Sequence, residues 1–179
     1  MTFEACSLII LLWDFIPIGT LCAILSIMQA IVQQQRKERF VMSGITRKEA
    51  REQVVALLFE TEFKADESSA EVFSISSENR EIPEDEYIKR TYFGVCDNRE
   101  KIDELIGAHS HGWKTHRLTK LSRSILRLAV YEMLFEEIPY SVSIDEALEL
   151  SKKFDDPKAK AFINGVLNSV KTALEGEKA

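Results

Sequence analysis

The sequence is poor in residues that break or sharply redirect a chain. Seven glycines and four prolines in 179 residues leave few places for tight turns, and no repeat of fixed period is visible. Both point to long helices joined by short loops and away from a many-stranded fold. Cysteine is scarce too. Of Cys6, Cys22 and Cys96, only Cys96 lies in the part with globular composition, so no internal disulfide is available there, as in a reducing cytosol. There is no glycine-rich phosphate loop, no Ser/His/Asp or Cys/His order in a recognisable local motif, and no metal-ligand spacing. His109, His111 and His116 are close in sequence. No cysteine stands beside them and the nearby acids are irregularly spaced, so they read as loop histidines. Acid pairs such as Glu136-Glu137 sit in ordinary helix-end contexts. The residues support no catalysis, cofactor or metal. An excess of positive charge is also missing, since the net charge is −6. A nucleic-acid role would need a local basic patch or a basic partner.

Residues 1–41 are a different kind of sequence. Their charges cancel, so residues 42–179 carry the whole net charge. Cys6 to Val32 is strongly apolar, with Asp14 its only charge, and is long enough to span a bilayer. The basic Gln33-Gln-Gln-Arg-Lys-Glu-Arg39 that follows would leave the remainder in the cytoplasm. The start carries Glu4 and no Lys or Arg, a poor secretory signal. Asp14, Pro17 and Gly19 weaken it as a helix in lipid. Met42-Ser43-Gly44 resembles an ordinary protein start, and Lys37-Glu38 can be encoded as a ribosome-binding site at suitable spacing upstream. The segment therefore reads better as a start assigned too early than as a membrane anchor.

In the globular part, Thr46-Arg-Lys-Glu49 has the form of a capping box and opens a helix to about Phe63. Ala50, Val54, Leu57, Leu58 and Thr61 recur at core-face spacing. Arg47, Lys48 and Arg51 share the other side of the first turns. Three cations there oppose the helix dipole. They form either a solvated face or a phosphate-contacting patch. Asp66 to Arg80, rich in Ser and Glu, reads as a loop or short irregular helix. Pro83-Glu-Asp-Glu86 reads as a helix start. It is followed by an apolar surface of Tyr87, Ile88, Tyr92, Val95, Ile102, Leu105 and Ile106. Gly94 within it predicts a close helix contact, and Cys96 reads as a small core residue.

Gly107 to Gly112 is a break. Lys114, Arg117, Lys120 and Arg123 then recur every three residues, giving the next helix a basic entrance. That helix, Leu121 to Phe135, is apolar around most of its circumference and is the expected buried centre of the fold. Arg127 is placed to stack on Tyr131 one turn later. Pro139 stops the helix. Ser143-Ile-Asp-Glu146 has the form of a second capping box. It opens a helix with Ile144, Ala147, Leu148, Ser151 and Phe154 on its inner stripe. After Asp155-Asp156-Pro157 comes a last amphipathic helix carrying Ala159, Phe162, Ile163, Val166, Leu167, Val170 and Leu174.

Three stretches carry a resemblance. Ser124-Ile-Leu-Arg-Leu-Ala-Val-Tyr-Glu-Met-Leu134, Ile138-Pro-Tyr-Ser-Val-Ser-Ile-Asp-Glu-Ala-Leu-Glu-Leu-Ser-Lys-Lys-Phe154 and Ala161-Phe-Ile-Asn-Gly-Val-Leu167 resemble the signature of the NusB family, the bacterial transcription antitermination factors. Arg47 to Glu52 and Phe93-Gly-Val95 are similar too, so the likeness covers about Thr46 to Leu174 and excludes residues 1–41. It implies an all-α fold of two small helix bundles in residues 42–179, a cytoplasmic location and no enzymatic activity. It implies binding of boxA RNA from ribosomal RNA operons, together with a basic small-subunit ribosomal protein acting as NusE. It also implies joining the RNA polymerase elongation complex with other Nus factors. Some members dimerise, so a homodimer is among the partners it admits.

Carried over by position, the RNA-binding residues are Arg47, Lys48 and Arg51, with Phe162 and Asn164 at the start of the last helix and Lys158 and Lys160 beside them. Lys114, Arg117, Lys120 and Arg123 are further candidates for RNA contact. The chain departs from the family in having Ala56 where Gln is frequent and fewer arginines in the first-helix cluster. Two other readings are the NusB-like RNA-binding domain of a ribosomal RNA cytosine methyltransferase and a membrane-anchored helical interaction module. The first lacks a Rossmann-like glycine motif or catalytic cysteine here, and the second requires residues 1–41.

Overall fold

The computed structural model describes residues 44–64, 66–110 and 118–176. The apolar segment 1–41 lies outside them. Seven helices run through the described residues, and no strand is found among them.

Helix α1 spans Arg47–Thr61. Its capping box forms: Thr46 Oγ1 accepts from the Glu49 N–H at 3.2 Å, and the Glu49 carboxylate accepts from the Thr46 N–H at 2.8 Å. These bonds satisfy two of the backbone donors that a helix start leaves open. Ala50, Val54, Leu57 and Leu58 are buried, as their spacing predicts.

The stretch expected to be irregular is a regular helix, α2, Ser69–Arg80. Its own capping box is Ser68 with Glu71. Val72 is fully buried, and Phe73 lies 5.6 Å from Tyr92 and 5.2 Å from Phe93, centroid to centroid. Ser76 donates to Glu60, and Arg80 pairs with the same carboxylate at 3.2 Å. A helix with few apolar residues is stable here because tertiary contacts on one side supply what propensity does not.

Helix α3, Glu86–Asp97, begins later than Pro83 because Asp85 caps it, accepting from the Tyr87 and Ile88 N–H groups. The continuous apolar surface read from Tyr87 to Ile106 is broken at Asn98. There α3 ends and α4, Arg99–His109, begins; the Asn98 side chain donates to the Gly94 carbonyl at 2.8 Å. Ile102 and Ile106 are the buried residues of α4.

Helix α5, Lys120–Phe135, is the centre. Eleven of its sixteen residues are buried, and it packs against α1, α3 and α4. It packs also against α6, Tyr140–Phe154, and α7, Pro157–Gly176. The first three helices form one bundle with α5. The last two, with α4, form the other, also sharing α5. Burying each large aliphatic side chain is worth about 1.5–3 kcal/mol, so a helix buried on every side holds both bundles together. Gly94 of α3 faces α5: a Cβ there would overlap the Tyr131 ring, the close contact expected from its place in the apolar pattern.

One predicted start is wrong. Pro139 is the N-cap residue of α6, so Ser143 lies buried inside the helix and makes no capping box. Starting one turn earlier turns Glu146 inward toward Arg51.

Candidate nucleic-acid interface

The three cations of α1 separate into three environments. Arg51 is only 4% exposed. Its Nε donates to Glu132 Oε1 at 2.9 Å, and its guanidinium lies 3.4 Å from the Glu146 carboxylate. Tyr87 donates its hydroxyl to the same Glu132 oxygen at 2.5 Å. Glu132, on α5, is 1% exposed, so a buried carboxylate joins α1, α3 and α5. Burial opposes the Arg51 charge, yet Glu132, then Tyr87 and Glu146, outweigh it and raise its pKa. Burial, reinforced by the Glu132 charge, pushes the Tyr87 hydroxyl well above its ordinary range.

Arg47 is half-buried with its guanidinium 4.1 Å over the Tyr87 ring, a cation–π contact. Lys48 alone of the three is exposed. The expected patch on one face is therefore corrected: Arg51 points into the fold because Glu132 and Glu146 await it there.

Lys48 and Glu52 of α1 line a groove with Glu146, Glu149, Leu150, Lys152 and Lys153 of α6. Lys153 is clamped by both Glu52 carboxylate oxygens at 2.7 Å. At the start of α7, Lys158 is exposed and Lys160 half-exposed. Asn164 is exposed, and its side-chain oxygen accepts from Asn168 at 2.8 Å. Phe162 is half-buried against the core, as its place in the apolar stripe predicts. Phe154, assigned above to the inner stripe of α6, is instead 44% exposed. It closes the last turn, beyond buried Ser151.

The basic entrance to α5 is also different from its sequence reading. Lys114 and Arg117 lie outside the described residues, as do His111 and His116. Lys120 is half-buried, donates to the Glu62 carbonyl at 2.8 Å and lies 3.5 Å over the Phe63 ring. Arg123 pairs with the Glu62 carboxylate at 2.9 Å. Arg127 does not stack on Tyr131. It grips Asp103 through two N–H groups at 2.7 Å each and reaches Glu62 as well. Arg99 adds a third guanidinium to Glu62 at 3.1 Å. The side chain of Glu62 is 6% exposed. A carboxylate so enclosed draws in whatever cations can reach it, so Lys120 and Arg123 serve the junction of α1, α4 and α5.

Other chemistry is limited. Burial pushes the Cys96 thiol up, against a hydrogen bond from Tyr92, which makes it a poor nucleophile. Among the described residues no group of three or more His, Cys, Asp or Glu lies together as a metal site, and no helix is long and apolar enough to cross a membrane. The arrangement offers exposed cations and aromatic rings for binding.

Comparison with known proteins places this geometry. The model of the NusB family matches residues 48–172. A transcription antitermination protein NusB of Bacillus licheniformis is 41% identical over 130 residues, covering 72% of this chain and 98% of that protein. Among solved structures, T. maritima NusB superposes with a TM-score of 0.62 at 34% identity, over 70% of this chain and 90% of the other. A crystal structure of antitermination factors NusB and NusE in complex with dsRNA gives 0.64 at 30% identity, over 71% of this chain and 96% of the matched one. With an all-α fold of two bundles and this likeness over most of its described length, the chain belongs to the NusB family.

Proposed function

We propose that this protein is a transcription antitermination factor that binds RNA together with a small-subunit ribosomal protein acting as NusE, and that it catalyses no reaction. The observation that carries the reading is the likeness to the NusB–NusE complex with RNA, which covers nearly the whole of the matched chain. The finer reading is boxA RNA of ribosomal RNA operons, bound in the cytoplasm and delivered to RNA polymerase with other Nus factors. A homodimer is a competing state of the free protein. Residues 42–179 are the working unit, with translation starting at Met42; a membrane-borne species beginning at Met1, seen by intact mass, would overturn that start.

The proposed RNA surface comprises Arg47, Lys48, Lys158, Lys160, Phe162 and Asn164, with Lys114 and Arg117 as further candidates. Arg51, Lys120 and Arg123 act through the packing of α1 and α5. A basic partner supplies the remaining phosphate contacts that an acidic protein lacks.

The test is fluorescence anisotropy with boxA RNA over a range of salt, with and without the ribosomal protein. Binding enhanced by the partner and dependent on RNA sequence is expected. Replacing Lys48, Lys158 and Lys160 by alanine should flatten the salt slope by about 2, at about 0.7 per phosphate contact on a single strand. Absence of partner-enhanced, sequence-dependent binding by the parent protein would remove the reading. An unchanged slope in the triple variant would remove the surface.

A further inference from the structure

We infer that Phe154 is a base-stacking residue: a nucleobase of the bound single-stranded RNA lies on its ring, between the Lys48 side of the α1–α6 groove and Lys158 at the start of α7. The inference rests on the RNA-binding reading above and adds to it a residue that the sequence pattern assigns to the core.

Phe63, Phe135 and Phe154 are the exposed phenylalanines among the described residues. Phe63 lies against Phe59 with centroids 4.9 Å apart, and Phe135 against Tyr131 at 5.1 Å. Among the described residues no aromatic ring packs on Phe154. What lies on it is the Lys153 ammonium, 4.9 Å from the ring centroid. Lys153 is itself held by Glu52, so a fixed cation sits at an exposed aromatic surface. Bases stack on such rings irrespective of identity, and neighbouring cations take the flanking phosphates.

The local acids are engaged by partners within the fold, Glu149 of the same groove lying 4.0 Å from the Lys152 ammonium. Asp155 accepts from Ser122 and from the Asp156 N–H, and Asp156 caps α7 by accepting from the Lys158 N–H at 2.8 Å. Glu52 and Glu146 are held by Lys153 and Arg51. Lys48 and Lys158, by contrast, have no carboxylate within ion-pair distance among the described residues. An exposed ring carrying the Lys153 ammonium at 4.9 Å, with Lys48 in the groove that Lys153 also lines and Lys158 four residues further along the chain, matches a base and its phosphates.

The experiment uses the complete chain with the ribosomal protein and boxA RNA in which 2-aminopurine replaces one base at a time. The parent should quench the probe at one position. Phe154→Ala should abolish that quenching and weaken binding about tenfold, the scale of one lost stacking contact, with the salt slope unchanged. Phe154→Tyr should keep both. Far-UV circular dichroism and melting temperature of the variants check that the helices persist. Parent-like RNA affinity and quenching in a folded Phe154→Ala protein would overturn the stacking role while the lysine variants still report RNA binding. A selective loss of affinity for the ribosomal protein, measured without RNA, would assign the ring to protein docking and overturn it equally. No RNA binding by the parent in any arm removes the underlying reading, and the stacking role with it.

Discussion

Replacing Glu132 by alanine tests whether the buried charges under α1 hold the fold. The substitution leaves the Arg51 guanidinium, 4% exposed, with only Glu146 at 3.4 Å. It also strips the Tyr87 hydroxyl of its acceptor at 2.5 Å. Removing one member of a buried ion pair costs about 3–5 kcal/mol, because the other charge stays buried without compensation. The orphaned hydroxyl alone is worth about 1–3 kcal/mol, but the two losses share a cavity and do not add. A net loss of about 4 kcal/mol is expected. With a urea slope of about 2 kcal/mol per molar, the midpoint falls by about 2 M. Equilibrium urea unfolding followed by circular dichroism measures it.

A companion variant separates the penalty of an orphaned charge from the worth of the pair. Arg51→Met, Glu132→Leu and Tyr87→Phe together remove the deeply buried polar groups of the cluster and keep most of its volume, leaving Glu146, whose side chain is 30% exposed, to be solvated. This triple variant should recover most of the loss, since apolar replacements of buried ion pairs are often neutral or stabilising. If Glu132→Ala unfolds within about 1 kcal/mol of the parent, the cluster does not hold α1. If the triple variant is as unstable as the single one, packing volume rather than uncompensated charge sets the cost.

Gly94 and Gly165 should respond with opposite signs. Gly165→Ala meets open space and should gain about 0.5–1 kcal/mol from helix propensity. Gly94→Ala, whose Cβ would overlap the Tyr131 ring, should lose about 1–3 kcal/mol to overpacking; melting temperatures decide both, and a stabilising Gly94→Ala would refute the close contact. Tyr87 and Tyr92 have folded-state pKa values raised above the ordinary 10.0, chiefly by burial. The native state therefore holds their protons where the unfolded chain has released them, so stability is intact below pH 10 and declines as pH rises above it. Phenolate absorbance should show these two rings ionising only with unfolding, and Tyr87→Phe should flatten the alkaline decline. Glu62→Gln keeps the shape of the junction but removes the charge facing Arg99, Arg123 and Arg127. It should cost about 2 kcal/mol and exceed the effect of Asp103→Asn, whose side chain is 37% exposed; equal urea midpoints would show that the enclosure of Glu62 adds nothing to its hold on the three arginines.

Features written in adjacent residues were legible. The Thr46–Glu49 box, the apolar circumference of α5 and the amphipathic register of α7 each depend on spacings of three or four residues. The structure repeats them. The α2 helix was not legible: Ser68 and Glu71 hold its capping box, but its polar composition hid it, since only Val72 and Ser76 of the helix are buried. Pairings across the fold were not legible. Arg51 and Glu132 are 81 residues apart, and Arg127 and Glu62 are 65 apart. No local period connects them, so the sequence alone leaves Arg51, Lys120 and Arg123 as candidates for RNA contact, and only the fold brings them to the carboxylates that hold the α1 and α5 junctions.

The cations at the start of α1 give the physical reason. A positive cluster there is unfavourable to the helix dipole, so it requires a compensating anion, and RNA phosphate was one candidate. The fold supplies compensation internally for two of the three: Glu132 and Glu146 for Arg51, and the Tyr87 ring for Arg47. Cation excess on a helix face thus signals an anion somewhere, but it does not say whether that anion is a ligand or a distant part of the same chain. Burial makes the distinction. A cation enclosed with its carboxylate has little left to give a phosphate, whereas Lys48 and Lys158 stay exposed and can release counterions on binding. The proposed RNA surface therefore runs along the exposed side of α1, the end of α6 and the start of α7, and Arg51 contributes to it only through packing.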